Sequence, residues 1–459
     1  MELARVQSCP EAKTPPLIFA STGNNYGQFE SKQMIMSNRG SRKWLLRILG
    51  VFFITVATIG CVNDLTPHGG WSSPVLVDNK LLIGNVEGKL VRLDLATGNL
   101  DNGWSYPGED GLGAIYSDVL VVDDVIYGSG YTCRGDDCDG EVFAVDLIDG
   151  FSIWGQSGLS LKTKLIGQVG LVGKTLLVGT SALGDEDDGA DGYLYARDVT
   201  TGTSSIVKWR IPLDGNAWSG VAVEGSMAYV STMAGTVYAI NVTDGEPGGL
   251  FDQNPSSRIV WTFENGNAVA GPLNIVQGNI YFGDLAGKVY KLNIVARNAK
   301  TQSTDTNIDN ANIDVANGEW VFDAGAWVWA EPVIEEGTLF VSALDGSIHA
   351  VDDSTGEKIW SASIEGQIVS SPILFDRKRG QIRERALAVP SGTENVWVIS
   401  VIDGRELGVF VTEEPVKSSP LVHEGNLYVH ALNGHLKWFS VDDTTERGCV
   451  ELQDGAQCN

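Results

Sequence analysis

The sequence has little positive charge and no apolar run long enough to cross a membrane. Its 459 residues include 32 Lys and Arg against 58 Asp and Glu, which gives a formal net charge of −26. Because nucleic-acid binding depends on cations that neutralise phosphates, we expect no nucleic-acid partner. The longest apolar stretch, residues 48–60, is shorter than the ~20 residues that a membrane-spanning helix requires.

Common metal, redox and hydrolase motifs are also missing. The six cysteines include no C-x-x-C pair, which leaves haem attachment, zinc ribbons and thioredoxin chemistry without support. No G-x-S-x-G, H-E-x-x-H or phosphate-binding loop is present, so hydrolases and nucleotide-binding enzymes have no motif either. The sequence therefore favours a binding protein over an enzyme, and we assign no catalytic residue.

The N-terminus has the pattern of an export signal. The basic residues 37–47 precede the apolar stretch, which ends at the sequence T-I-G-C with Cys61. This pattern predicts a signal peptide that ends at a lipidation box, with Cys61 as the acylated first residue of a lipoprotein anchored at the cell surface or in the periplasm. The alternative is an ordinary signal peptide followed by an unrelated cysteine. We interpret residues 1–33 as a leader or a misassigned start.

Four cysteines remain beyond Cys9 and Cys61, and they form two close pairs along the chain. Export implies an oxidising compartment, in which neighbouring cysteines of a folded domain are commonly bridged. We therefore predict two local disulfides, Cys133–Cys138 and Cys449–Cys458.

A repeat runs through the rest of the chain. Each copy starts with small residues, often followed by Pro as in Ser72-Ser73-Pro74, and continues through three short apolar stretches. Eight copies begin at residues 71, 115, 166, 218, 269, 329, 369 and 417. The third stretch of most copies ends in a turn such as Asp352 to Gly356, where Asp can bond nearby backbone and Gly adopts a positive φ.

Tryptophan follows this turn in six copies, in what we expect to be the fourth strand. The six residues are Trp104, Trp154, Trp209, Trp261, Trp320 and Trp360. An indole at one fixed place in each copy indicates packing between neighbouring sheets. Four short strands in each copy predict an all-β fold, an eight-bladed β-propeller of four-stranded antiparallel blades. We expect no helix of useful length after residue 61.

These observations divide the chain into three parts. Residues 1–60 are the leader and signal peptide, residues 61–70 are the linker to the lipid anchor, and residues 71–459 are the propeller. We expect the propeller to be monomeric, with a C-terminal tail closed by the second disulfide.

The unit at residues 352–360, D-D-S-T-G-E-K-I-W, resembles the repeat of the pyrroloquinoline-quinone-type, or quinoprotein-like, propellers. The resemblance extends from residue 71 to about residue 445 and implies the fold more firmly than the function. The same repeat occurs in quinone-dependent dehydrogenases and in the non-enzymatic lipoprotein subunit of the outer-membrane barrel-assembly machinery. As a family, the dehydrogenases use adjacent cysteines beside the cofactor, and this chain has none. The resemblance therefore implies the non-enzymatic branch, without a quinone.

One candidate ligand site follows from the register of the innermost strands. Trp71, Trp218 and Trp329 each lie three residues before the Pro-equivalent position, so we expect them at the axial channel. They would form an aromatic rim that holds an apolar or peptide ligand; the alternative is that they fill the channel as core. Glu331 is the one acidic residue that we assign to this register.

Two acidic loops are candidate calcium sites, because Ca²⁺ takes six to eight oxygen ligands from flexible carboxylate-rich segments. Their acidic residues are Asp136, Asp137 and Asp139 in the second copy, and Asp185, Asp187, Asp188 and Asp191 in the third. Neither loop has the EF-hand spacing. The alternative is that both are solvated turns, in which case the protein has no cofactor.

Three other segments depart from the repeat. Residues 376–385 form a basic hairpin, which is a candidate contact for an acidic partner or a lipid headgroup; residues 300–317 form a polar insert. His423, His430 and His435 cluster in the last copy, and the last two, which flank a hairpin turn, are interpreted as cross-strand neighbours in preference to zinc ligands.

These features together predict an exported, membrane-tethered scaffold that binds another protein of the cell envelope. The alternatives are a pyrroloquinoline-quinone-dependent dehydrogenase and a polysaccharide-binding propeller.

Overall fold

The computed structural model describes residues 70–108, 111–135, 137–155, 158–183, 190–200, 207–243, 254–301 and 313–458. The predicted signal peptide and Cys61 lie outside the described residues. No helix in the described part of the chain is both long enough and apolar enough to span a membrane.

The described residues form eight four-stranded antiparallel sheets, each a simple meander, which are the blades of an eight-bladed propeller. The predicted fold class is therefore confirmed. Blades 1 to 4 contain β1 Val75–Val77, β2 Lys80–Gly84, β3 Leu90–Asp94, β4 Asn99–Tyr106; β5 Leu120–Val122, β6 Val125–Arg134, β7 Asp137–Asp146, β8 Leu159–Leu161; β9 Gly170–Val172, β10 Thr175–Gly179, β11 Gly192–Asp198, β12 Val207–Leu213; β13 Val221–Glu224, β14 Met227–Ser231, β15 Thr236–Asn241 and β16 Ile259–Glu264. Blades 5 to 8 contain β17 Asn274–Val276, β18 Asn279–Gly283, β19 Lys288–Asn293, β20 Trp320–Asp323; β21 Val333–Glu335, β22 Thr338–Ser342, β23 Ser347–Asp352, β24 Lys358–Ser363; β25 Ile373–Arg379, β26 Ile382–Pro390, β27 Asn395–Ser400, β28 Glu406–Val411; β29 Leu421–His423, β30 Asn426–His430, β31 His435–Ser440 and β32 Glu446–Glu451.

Tight turns join the first two strands of most blades. In blade 1, Val77 pairs with Lys80, so the loop consists of Asp78 and Asn79 alone. Both loop residues have positive φ, 45° and 61°, as a two-residue hairpin turn that matches the twist of the strands requires. Asp and Asn tolerate this conformation better than most residues, which explains their presence here.

The turn between the third and fourth strands also docks one blade on the next. In blade 6, Asp352 Oδ1 accepts the N–H groups of Ser354 and Thr355 at 2.9 and 3.0 Å. Gly356 has a φ of 73° and packs against the indole of Trp320 in blade 5, where a Cβ would lie 2.8 Å from the ring. Trp320 Nε1 donates to Asp353 O at 2.8 Å. The predicted inter-sheet role of the tryptophans is therefore confirmed.

Trp154 is an exception to the predicted placement. Its side chain is buried like the others, but it lies in the segment before β8 and not within a fourth strand. Blade 2 has a short outer strand of three residues, so the indole reaches the interface with blade 3 from a turn.

Apolar clusters lie between neighbouring blades, and the last of them closes the ring. Leu81 and Leu93 of blade 1 pack with Leu436 and Val450 of blade 8. Asn85 Nδ2 donates to the backbone oxygen of Leu452 at 3.1 Å across the same interface. The N-terminal and C-terminal blades therefore join through side-chain packing.

The expectation of no helix after residue 61 is wrong. Helix α1, Ile294–Thr301, follows β19 directly, so the insertion begins at 294 and not at 300. Asn293 Oδ1 accepts the N–H of Ala296 at 2.9 Å and caps the first turn. Arg297 forms a bidentate, buried ion pair with Glu319 through two bonds of 2.7 Å.

Candidate functional site

A cavity of about 440 Å³ lies where the eight blades begin, and residues from all eight blades line it. Two positions of the repeat supply most of its charged and aromatic side chains. The first position lies three residues before the Pro-equivalent position, and the third position lies directly before it. The first position contributes Trp71, Tyr116, Ile166, Trp218, Trp329, Val369 and Lys417. The third position contributes Ser73, Asp118, Gln168, Glu331, Ser371 and Ser419.

The aromatic side chains of the first position form part of a wall around the cavity. The structure places Trp71, Trp218 and Trp329 on it, as expected, and adds Tyr116. Trp71 and Tyr116 meet edge to face with ring centroids 4.4 Å apart. Lys417 Nζ lies 4.9 Å from the ring centroid of Trp71, which is within cation–π range. Ligand binding by these tryptophans stays a prediction.

A belt of hydrogen bonds holds the third position in place across five consecutive blades. The N–H of Glu331 donates to Ser371 Oγ at 3.0 Å, and the N–H of Ser371 donates to Ser419 Oγ at 3.1 Å. The N–H of Ser419 donates to Ser73 Oγ at 3.0 Å, and the N–H of Ser73 donates to Asp118 Oδ1 at 2.8 Å. The belt crosses the closure between blades 8 and 1, so it fixes the cavity wall as well as the ring.

Two carboxyl groups on the cavity wall have perturbed proton affinity. Asp118 belongs to blade 2 and Glu331 to blade 6, four blades apart in a ring of eight. Burial raises the pKa of Asp118, although the N–H of Ser73 partly offsets this. Burial, with a smaller contribution from the negative charge of Asp118, raises the pKa of Glu331 to about 7. Each carboxyl touches the cavity yet is shielded from bulk solvent.

The expectation that Glu331 is the one acid of this register is wrong, because Asp118 occupies the same position in blade 2. The sequence alignment started the second copy at Ile115, one residue too early. Val119 stands where other copies have Pro, so the usual marker was absent. An aromatic residue followed by Ser117, Asp118 and an apolar residue would have been the signal.

Lys417 does not neutralise either carboxyl group. Of the ion pairs that the described residues form, none includes Lys417, Asp118 or Glu331. The ammonium group lies over Trp71 instead. The cavity therefore contains two carboxyl groups and one cation that stay apart.

The residues of the cavity do not fit the quinone cofactor of the dehydrogenases. Pyrroloquinoline quinone is a tricarboxylate, so its site needs a surplus of cationic donors. Here Lys417 is the single cation on the wall, and Asp118 and Glu331 would repel the cofactor. Both disulfides lie away from the cavity lining, and neither joins adjacent cysteines.

The acidic-loop residues that the structure describes lie outside the cavity lining. Asp137 and Asp139 are exposed near the tip of the β6–β7 hairpin, and Asp139 Oδ1 pairs with Lys162 Nζ at 2.5 Å. Asp191 is exposed next to β11. The remaining candidates, Asp136, Asp185, Asp187 and Asp188, lie outside the described residues. Calcium binding stays a prediction.

Both predicted disulfides are present, with Cα–Cα distances of 4.0 Å for Cys133–Cys138 and 5.4 Å for Cys449–Cys458. The first joins directly opposed residues of the β6–β7 hairpin. His435 lies beside the second disulfide, with its ring nitrogen and the two sulfurs within 4.8 Å of one another. Because those sulfurs are bonded to each other, they do not offer thiolates to a metal.

The other two histidines of blade 8 point away from His435. His430 is buried, its Nδ1 lies 3.0 Å from Ser72 O, and burial lowers its pKa. His423 Nε2 lies 3.4 Å from Asn79 Oδ1. Both make contacts between blades 8 and 1, and the three imidazoles do not converge on one point.

The basic hairpin forms the extended end of β25 and β26, seven and nine residues long. Lys378 is directly opposite Arg383, and Arg379 is opposite Ile382, whose side chain is 67% exposed. Arg385, nearer the blade, pairs instead with Glu335 of blade 6. Three exposed cations and one exposed apolar residue therefore form the tip.

Comparisons with known proteins place these features in one family. A family model described as "Outer membrane protein assembly factor BamB" matches residues 138–312 and 311–447. Outer membrane protein assembly factor BamB of Yersinia pestis is 24% identical over 367 residues, which are 74% of this chain and 78% of that protein.

Solved structures agree on the fold. The crystal structure of BamB from Moraxella catarrhalis has a TM-score of 0.54 at 15% identity and covers 78% of this chain and 91% of that chain. The computationally designed Ika8 protein has a TM-score of 0.58 at 12% identity, covering 81% and 96%. At these identities the likeness concerns architecture alone.

Proposed function

The chain belongs to the family of outer membrane protein assembly factor BamB, and from this premise we propose that it is a membrane-tethered scaffold that binds other proteins of the cell envelope. The observation that carries the proposal is the family match, which extends from residue 138 to residue 447 and so includes most of the propeller. A scaffold of this kind would contribute to outer-membrane protein assembly by holding a partner near the membrane. The lipid on Cys61 would supply the tether.

The tip of the β25–β26 hairpin is the surface that we assign to the partner. It presents Lys378, Arg379 and Arg383 around Ile382 on a chain whose formal net charge is −26. An isolated basic patch on an acidic protein steers an acidic surface toward itself and repels basic surfaces. The exposed isoleucine adds an apolar contact at the centre of the charged group. The partner surface is therefore expected to be acidic with an apolar pocket.

Site-specific crosslinking in native membranes tests this assignment. A photo-crosslinking residue replaces Ile382 in the lipidated protein, and in a matched control it replaces Ile359, which is 52% exposed on the outer strand of blade 6. We expect an envelope protein to be crosslinked from position 382 and not from 359. Crosslinks to lipid alone, or equal products at both positions, would contradict the hairpin as a protein contact.

A charge-reversal variant tests the scaffold itself. Lys378→Glu, Arg379→Glu and Arg383→Glu together should weaken capture of the partner and lower the amount of folded β-barrel protein in the outer membrane. The control reverses three exposed cations elsewhere, Lys358, Arg405 and Arg447, and should keep both readouts. If loss of the whole protein leaves outer-membrane protein folding and partner capture unchanged, the proposed function is wrong.

A further inference from the structure

We propose that the axial cavity binds a singly charged alkylammonium group, such as a lysine side chain, between Asp118 and Glu331 and within the aromatic wall. This site is separate from the hairpin surface assigned to the scaffold, and its failure would leave the scaffold proposal standing.

The size of the cavity favours an organic group over a metal ion. At about 440 Å³ it falls in the range of small-molecule sites. A Ca²⁺ ion needs six to eight oxygen ligands within bonding distance, whereas the wall offers two carboxyl groups on opposite blades. An alkyl chain that ends in an ammonium group would fill the apolar part and reach the acids.

The charge of the cavity favours a cation. Asp118 and Glu331 are enclosed by protein and have no cationic partner within the described residues, which is costly for any ionised carboxylate. Among the described residues, Asp118 accepts hydrogen bonds from Ser73 alone, through its N–H and its hydroxyl group. A bound ammonium group would supply a positive charge beside these acids and so offset their mutual repulsion.

The aromatic residues supply the rest of the recognition. Trp218, Trp329 and Tyr116 line the same cavity as the carboxyl groups. A cation over an indole is attracted by the electron-rich face of the ring, and more strongly so when it is desolvated. Lys417 already uses the ring of Trp71 in this way, at 4.9 Å. Tyr116 packs between Trp71 and Tyr131. Trp218 and Trp329 are therefore the rings that we assign to the ligand.

Lys417 limits the ligand to one positive charge. Its ammonium group lies on the wall of the same cavity, so a second cation in the ligand would meet it in a poorly screened space. If the rest of the ligand is neutral or anionic, Lys417 does not repel it. The site therefore fits a lysine side chain better than a diamine.

The entrance would attract such a ligand. In an antiparallel meander the turn between the second and third strands lies at the end where the first strand begins, which is the end that carries the cavity residues. That turn in blade 2 carries the exposed Asp137 and Asp139. The described acidic residues of this turn therefore add negative potential at the cavity end, which steers cations toward it.

Binding should also release protons. Burial raises the pKa of Glu331 to about 7, and an ammonium beside it would lower that pKa. The other titratable groups on the wall are Asp118, Tyr116 and Lys417. Affinity should therefore rise between pH 6 and pH 8 as the proton on Glu331 is lost.

Calorimetric titration of the full exported chain tests the proposal with three probes. Nα-acetyl-lysine N-methylamide carries one ammonium group, its Nζ-acetylated form carries none, and cadaverine carries two. We expect the first to bind, the second to bind at least about tenfold more weakly, and cadaverine to bind more weakly than the first. Absence of binding by the first probe, equal binding of the neutral probe, or tighter binding of cadaverine would overturn the assignment.

Variants locate the binding within the cavity. Asp118→Asn and Glu331→Gln should each weaken binding about tenfold, and Glu331→Gln should abolish the rise between pH 6 and pH 8. Asn keeps an oxygen that accepts the Ser73 N–H, so Asp118→Asn should fold, as a thermal melt will verify. Glu357→Gln, on an exposed turn of blade 6, is the matched control and should bind as the wild type does. Unchanged affinity in both cavity variants would overturn the proposal.

Discussion

Replacing Glu331 with Gln should stabilise the protein, and only at neutral and alkaline pH. The ordinary pKa of a glutamate is 4.5, and in the folded protein the pKa of Glu331 is raised to about 7 by burial and by the charge of Asp118. The folded state therefore holds its proton more tightly than the unfolded state does. The stability that this provides is fully present below pH 4.5 and is lost as the pH rises through 7.

The size of the effect follows from the shift. Each pKa unit corresponds to about 1.4 kcal/mol, and the pKa rises from 4.5 to about 7, so the ionisation of Glu331 should destabilise the wild type by about 3 kcal/mol at pH 8 relative to pH 4. Gln has no charge to bury, so the variant escapes this penalty. We expect Glu331→Gln to unfold at a higher urea concentration than the wild type at pH 8 and at nearly the same concentration at pH 4.

Urea unfolding followed by tryptophan fluorescence at both pH values is the measurement. Glu357→Gln controls for the loss of one negative charge from an acidic chain, and it should shift the midpoint little at either pH. If Glu331→Gln has no pH-dependent advantage over this control, the carboxyl group is not shielded as described. A residue that lowers the stability of the ligand-free protein is commonly one that binds a ligand, so this prediction also bears on the proposed amine site.

Three further predictions concern the anchor, the disulfides and the cofactor. Cys61→Ser should release the protein from membranes into a soluble exported fraction with the propeller folded; retention after a carbonate wash would contradict the lipidation box. Reduction of the two disulfides should lower stability only modestly, because their loops span 5 and 9 residues and short loops restrict the unfolded chain little; four reactive thiols in the unfolded, unreduced protein would refute both bridges. Purified protein given pyrroloquinoline quinone and Ca²⁺ should neither bind the quinone stoichiometrically nor oxidise alcohols or sugars, and turnover that disappears in Glu331→Gln would overturn this.

The repeat made most of the fold predictable. A turn such as Asp352 to Gly356 depends on local chemistry, and the indole that docks on it recurs at one place, so both follow from a single chain. The disulfides were predictable for the same reason, since each joins residues close in sequence. These features depend on residues that are close in sequence, so they can be predicted without knowing which blades are neighbours.

Features that depend on distant residues were not predictable. Helix α1 is short and lies in an insertion that does not follow the repeat. Its N-terminal cap and the Arg297–Glu319 ion pair use residues from the two ends of this insertion. Asp118 was missed because its copy lacks the proline that marks the register. Its significance arises from Glu331, which lies on the opposite side of the ring and more than two hundred residues later in the chain.

The belt of hydrogen bonds between the blades does not depend on acidic residues at the third position. Four of its acceptor groups do the same structural task, yet three of them are serine hydroxyls and one is the carboxylate of Asp118. A serine at 118 would accept the same N–H without bringing a charge into the cavity. Glu331 accepts no bond in the belt at all and donates only through its backbone. Closing the ring therefore does not require either charge, and two acids opposite one another in a cavity with aromatic walls are what the proposed cation site requires.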